Sequence, residues 1–142
     1  MKASEIMTRN PSVVTPETPV QEAARLMRTE DTGVLPVVDS QGSLRLVGMI
    51  TDRDIAIRVV ADGMTSAHVR DAMSSNPKSC SPDDSVKDVM QVMSDAQVRR
   101  IPIVDEGGMV VGIVSQADVV LEADGKRVEK TIESISQPGQ SS

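Results

Sequence analysis

The chain contains no phenylalanine, tyrosine or tryptophan. Its core must be built from Val, Ile, Leu, Ala and Met, and nine methionines make such a core adaptable. Without aromatic side chains there is no platform on which nucleic-acid bases could stack, which argues against single-strand binding. Positive charge is also short: 15 Lys and Arg stand against 21 Asp and Glu, for a net charge of −6. Such a chain does not attract a phosphate backbone in bulk, so no nucleic-acid partner is expected, although a few well-placed donors can still hold a small anion. No apolar run is long enough to span a bilayer, and Met1 to Pro11 alternates polar and apolar residues where a signal peptide needs an apolar stretch. No membrane partner is expected, and cytoplasm is the default location. The single cysteine, Cys80, excludes an intrachain disulfide framework, and with one histidine, His68, it cannot make a conventional zinc site.

What the 142 residues do contain is a repeat. Met7, Pro11, Pro16, Val20, Met27, Pro36 and Asp39 recur 66 positions later as Met73, Pro77, Pro82, Val86, Met93, Pro102 and Asp105. After the next loop the offset falls to 64, linking Gly48 to Gly112 and Asp54 to Asp118, so the first copy carries two extra loop residues. Each copy opens with a short lead (Ala3 to Met7, Val69 to Met73) and an Asn-Pro turn, Asn10-Pro11 or Asn76-Pro77, where proline biases the preceding residue to extended geometry. Val13-Val14 forms a short strand, with Ser79-Cys80 as its weaker counterpart.

A helix follows in each copy. Thr18 reads as an N-cap, with Pro19 at the first helical position and Gln21 completing a capping box; Asp84 reads as the cap in the second copy. Val20, Ala23, Ala24 and Met27, and likewise Val86, Val89, Met90 and Met93, fall at i, i+3, i+4, i+7 and mark one buried stripe. Then come two hairpins, Val34 to Val38 with Leu44 to Ile50, and Arg100 to Val104 with Met109 to Val114. A closing helix starts at Thr51 or Ser115, with Ile55, Val59 and Val60, or Val119, Val120 and Leu121, on its apolar side. Asp62-Gly63 ends the first one, and a tail helix is expected after Gly125. The expected fold is α/β (α+β): two tandem β-α-β-β-α repeats packed about a pseudo-twofold axis, sheets inside and helices outside. Residues 1–63 form repeat one, 64–68 a linker, 69–123 repeat two and 124–142 the tail. At ~60 residues a single repeat would be marginal alone.

Leu35-Pro36-Val37-Val38-Asp39 and Ile101-Pro102-Ile103-Val104-Asp105 are each followed by Gly, two apolar residues, Thr or Ser, and an aspartate three places on. In this the chain resembles a tandem pair of cystathionine β-synthase (CBS) domains, from about Ala3 to Leu121. The resemblance is to small stand-alone prokaryotic proteins of this kind. It implies adenine nucleotides or related ligands in clefts between the repeats, and often a further pairing of two copies, here a homodimer.

The residue chemistry fits such a ligand. An ionised aspartate accepts from both ribose hydroxyls, as Asp54 and Asp118 could. Thr51 and Ser115 can donate to a phosphate oxygen at a helix N-terminus, where free backbone N–H groups also favour anions. By resemblance the base lies between the first strand (Val13, or Ser79 and Cys80) and the residues leading into the prolines Pro36 and Pro102, namely Val34-Leu35 and Arg100-Ile101. Thr51-x-x-Asp54 and Ser115-x-x-Asp118 are equally good capping boxes, and both roles can coexist, since a cap uses one carboxylate oxygen and leaves another. Arg99 and Arg100 stand where repeat one has Gly33 and Val34. Either they meet ligand phosphates in bidentate fashion or they form a solvated surface pair. Arg53 is a further phosphate candidate or a partner for Asp52. Cys80 reads as a small core filler.

No nucleophile–base pair is visible, so no enzyme is expected. Two functions remain. One is a regulatory module sensing AMP, ADP, ATP (with Mg²⁺ on the phosphates) or S-adenosylmethionine and passing the signal to an unknown effector protein, with no cofactor required. The other is a structural or protein-interaction dimerisation module with no bound nucleotide.

Overall fold

The computed structural model describes residues 1–123. In chain order the elements are α1 (Ala3–Ile6), β1 (Thr8–Arg9), α2 (Val20–Glu30), β2 (Val34–Val38), β3 (Leu46–Thr51), α3 (Asp52–Ile55), a π-helical turn (Ala56–Val60), a 3-10 turn (Val69–Asp71), β4 (Ser74–Ser75), α4 (Val86–Ala96), β5 (Arg100–Val104), β6 (Val110–Ser115) and α5 (Gln116–Ala123). The expected tail helix lies outside the described residues. The chain divides into two compact units. The first-repeat unit holds Asn10–Pro77 with Glu106–Val110; the second-repeat unit holds Met1–Arg9, Lys78–Asp105 and the described residues from Val111.

In the first-repeat unit, β2 and β3 form the expected antiparallel hairpin, with Val34 opposite Thr51 and Leu35 opposite Ile50. The short strand at Val13-Val14 reduces to one parallel bridge, Val14 to Val37. Beneath the sheet lie Val20, Ala23 and Met27 of α2 with Leu35, Val37, Ile50, Val59 and Val69. Each such side chain contributes roughly 1.5–3 kcal/mol by leaving water. The second-repeat unit repeats the pattern: sheet order β1-β6-β5, a parallel bridge from Cys80 to Ile103, and a core of Ile6, Cys80, Val89, Met93, Ile101, Ile103, Val114 and Val119.

The leads are exchanged between the repeats. β1, from the lead of repeat one, pairs with β6, and β4, from the lead of repeat two, pairs with β3. The motif glycines make room for this. A Cβ on Gly48 would stand 2.6 Å from the Ser74 carbonyl oxygen, and one on Gly112 3.0 Å from that of Thr8. Met73 lies over Gly48 and Met7 over Gly112.

Several local expectations need correction. Asn10 and Asn76 sit at φ 50° and 55° rather than extended, because asparagine tolerates the left-handed region despite the following proline. α2 is capped at Pro19 with no side-chain bond, since the Thr18 hydroxyl instead accepts from Thr15 N–H at 3.0 Å. Ser85, not Asp84, caps α4: its hydroxyl accepts from Asp88 N–H at 3.0 Å, while Asp84 accepts from Ser81 N–H at 2.8 Å. Ala24 and Met90 lie outside the buried stripes, and Leu26 and Val92 pack against the cores instead. Val60 and Val120 are 70% and 52% exposed, so Val59 with the partly buried Ile55 anchors the first closing helix and Val119 the second.

Candidate functional site

The Gly-h-h-(Thr/Ser)-x-x-Asp segments each deliver a strand directly into a helix, and both make a reciprocal box at the join. In the first-repeat unit Thr51 N–H donates to Asp54 Oδ2 at 3.0 Å, and Asp54 N–H donates to Thr51 Oγ1 at 3.0 Å. In the second-repeat unit Ser115 N–H donates to Asp118 Oδ2 at 3.0 Å, and Asp118 N–H to Ser115 Oγ at 3.2 Å. The capping reading is therefore realised in both mouths, and each box fixes its aspartate in one orientation.

The surroundings differ. Ser115 and Asp118 are 5% and 2% exposed, whereas Thr51 and Asp54 are half-buried. α3 passes after four residues directly into the π-helical turn, whereas α5 is α-helical over its eight described residues.

Around the first box, Val34 is half-buried opposite Thr51, and Arg53 is exposed with no ion pair among the described residues. Leu35 and Pro36 are buried, and the Leu35 side chain belongs to the core. Ile101, Pro102 and Cys80 are placed the same way in the second-repeat unit, beside half-buried Arg100 and exposed Arg99. Burial, then the nearby Asp84 and Asp88 carboxylates, push the Cys80 thiol up to about 11, the opposite of what a nucleophile needs. Val13 is half-buried. It lines a cavity of about 400 Å³ with Asn10, Ser12, Leu26, Gln41 and Leu44, and its carbonyl accepts from Gln41 Nε2 at 3.3 Å.

One pair of positions escaped the sequence reading. Asp52 N–H donates to the Gly33 carbonyl at 2.9 Å, and the Asp52 carboxylate fills the space a side chain at residue 33 would take. In the second-repeat unit Gln116 N–H donates to the Arg99 carbonyl at 2.7 Å. The signal was available in the repeat offsets, which align Gly33 with Arg99 and Asp52 with Gln116. Among the described residues no three His, Cys, Asp or Glu side chains gather into a metal site, and no helix is long and apolar enough to cross a membrane.

Two hairpin units with exchanged leads, each with an aspartate-boxed strand-to-helix mouth, define an α+β tandem-repeat module. The family model of the CBS domain matches residues 3–61 and again 69–125, and the chain belongs to that family. It is 42% identical over 118 residues to the CBS domain-containing protein YhcV of Bacillus subtilis (strain 168), covering 82% of this chain and 81% of that one. Among solved structures it is similar to CBSX2 in complex with AMP, with a TM-score of 0.75 and 26% identity over 87% of this chain and 96% of that one. It is similar also to the CBS domain pair of protein MJ0100 in complex with 5′-methylthioadenosine and S-adenosyl-L-methionine, with a TM-score of 0.78 and 27% identity over 89% and 98% of the two chains.

Proposed function

We propose that this chain is a regulatory module that binds an adenosine-containing ligand at the mouths set by Thr51/Asp54 and Ser115/Asp118 and passes their occupancy to a partner protein. The observation that carries this is the duplicated box. It holds an acceptor-only carboxylate at a fixed place beside a hydroxyl and a helix start, which suits two ribose hydroxyls and a neighbouring phosphate. The ligands of CBSX2 and MJ0100, AMP and two adenosyl compounds, support the same class. Any Mg²⁺ would arrive with the phosphates. Ligand affinity that differs between two arrangements of the module would then shift their populations.

A second reading has its own observation. Met90 on α4 and Val120 on α5 are 46% and 52% exposed, as are the apolar Ile57 and Val60 of the π-helical turn. These helical faces suit a homodimer contact, with or without ligand. Calorimetric titration with AMP, ADP, ATP and S-adenosylmethionine, with and without Mg²⁺, separates the readings. Saturable heat with at least one ligand is expected. Silence with all of them removes the sensor role and leaves the interaction module.

A further inference from the structure

The box is common to both mouths; the charge around it is not. Beside the first box stand Asp52, Arg53 and Asp54, and beside the second Arg99, Arg100 and Asp118. Asp52 places a negative charge at the first rim where repeat two has the neutral Gln116, and Arg99 places a positive one where repeat one has Gly33. The difference is built into the backbone contact at each rim. A Cβ on Gly33 would lie 2.9 Å from Asp52 Oδ2 and 3.1 Å from its Cγ. Gly33 is not among the glycines with positive φ, so its backbone does not demand glycine; the space beside it is taken by the end of the exposed Asp52 side chain. Repeat two exchanges both partners at the matching hydrogen bond, arginine for glycine and glutamine for aspartate. Asp52 and Arg99 are exposed and make no ion pair among the described residues, so neither charge is cancelled locally.

We infer, on the ligand-binding role proposed above, that the two mouths select adenosyl ligands of opposite charge. The Gly33/Asp52 rim takes a neutral or cationic ligand, such as a nucleoside, thioether or sulfonium. The Arg99/Arg100 rim takes a phosphorylated one. A phosphate brought beside Asp52 meets a like charge at the position where, in repeat two, it meets a guanidinium able to bind it in two places. Asp52 and Gly33 thus act as specificity determinants, although neither belongs to the box.

The test uses two single-site backgrounds, Asp118→Ala to leave the first mouth and Asp54→Ala to leave the second, titrated with adenosine, AMP and S-adenosylmethionine. The first mouth is expected to prefer adenosine and S-adenosylmethionine over AMP by about tenfold, and the second to prefer AMP by about tenfold, both preferences shrinking as salt rises. Transplanting the second rim into the first with Gly33→Arg plus Asp52→Gln should raise AMP affinity there tenfold or more and leave adenosine within about threefold. Asp52→Asn alone, which adds no volume, should move AMP the same way by a smaller factor, and it keeps the test alive if the double variant does not fold. Equal adenosine-to-AMP ratios in the two backgrounds, or rim variants that leave the ratio unchanged, overturn the inference while leaving ligand binding intact. No binding of any of the three ligands to the wild-type protein overturns the ligand-binding role and this inference with it.

Discussion

The Thr51/Asp54 and Ser115/Asp118 boxes have the same four hydrogen-bonding partners in the same order, yet one is half-buried and the other almost wholly buried. The difference shows how a duplicated motif diverges. The geometry that holds the aspartate stays constant, because it also starts the helix. The surroundings are free to change, because the hydrogen bonds of the box do not depend on them. Gly33/Asp52 against Arg99/Gln116, four-residue α3 against eight-residue α5, and Val14 against Cys80 are all changes of surroundings.

The burial contrast has the largest expected consequence for stability. Asp118→Ala removes a buried carboxylate and leaves the Ser115 N–H unpaired away from water, at a cost of about 3 kcal/mol. Asp54→Ala does the same at a half-exposed site, where water can replace the lost bond, and should cost about 1 kcal/mol. Urea denaturation of the two variants measures the difference, and equal losses would break the comparison.

Next comes the first-strand position, Val14 in one repeat and Cys80 in the other. The Cys80 pKa is raised in the folded protein from its ordinary value of 9.0 to about 11, chiefly by burial. Folding thus favours the protonated thiol. That contribution is fully present below pH 9 and is lost as pH rises towards 11, for a total of about 2–3 kcal/mol. The denaturation midpoint should fall over this range, and Cys80→Val, which restores the repeat-one residue, should flatten the fall. An unchanged slope in that variant would assign the alkaline loss elsewhere.

The motif glycines rank third. A methyl group on Gly48 meets the Ser74 backbone oxygen at 2.6 Å, which can yield only if the strand moves. On Gly112 the nearest obstacles are side-chain atoms of Met7, which can rotate away. Gly48→Ala is expected to cost about 2 kcal/mol and Gly112→Ala about 1 kcal/mol, read from thermal midpoints. The smallest effect compares the helix starts. Ser85→Ala removes a real cap and should cost about 1 kcal/mol, whereas Thr18→Ala loses only a turn bond to Thr15 and should cost less than half of that.

The repeat made much of this legible beforehand. Two offsets located both hairpins, both boxes and the helices α2 and α4, because alternation and 3.6-residue periodicity report directly on local structure. Exchange of the leads was not legible. β1 and β4 are two residues each, too short to carry a pattern, and their partners lie far along the chain. The stripes were overdrawn at Ala24 and Met90 because i+4 spacing leaves open which flank of the apolar arc faces inward, and Leu26 and Val92 pack there instead. In the candidate site, the boxes were readable from spacing. Cys80 was readable as a core filler, but the commitment of Leu35 and Ile101 to the cores was not, since strand residues show their facing only once a partner sheet or helix is in place.

The most direct test of the account is a side-by-side titration of AMP into Asp54→Ala and Asp118→Ala, with each fold verified by circular dichroism. The account predicts saturable AMP binding that survives in Asp54→Ala and is weaker by about tenfold in Asp118→Ala. Binding of equal strength in both variants would contradict it, because the two mouths would then not differ in their preference for a phosphate.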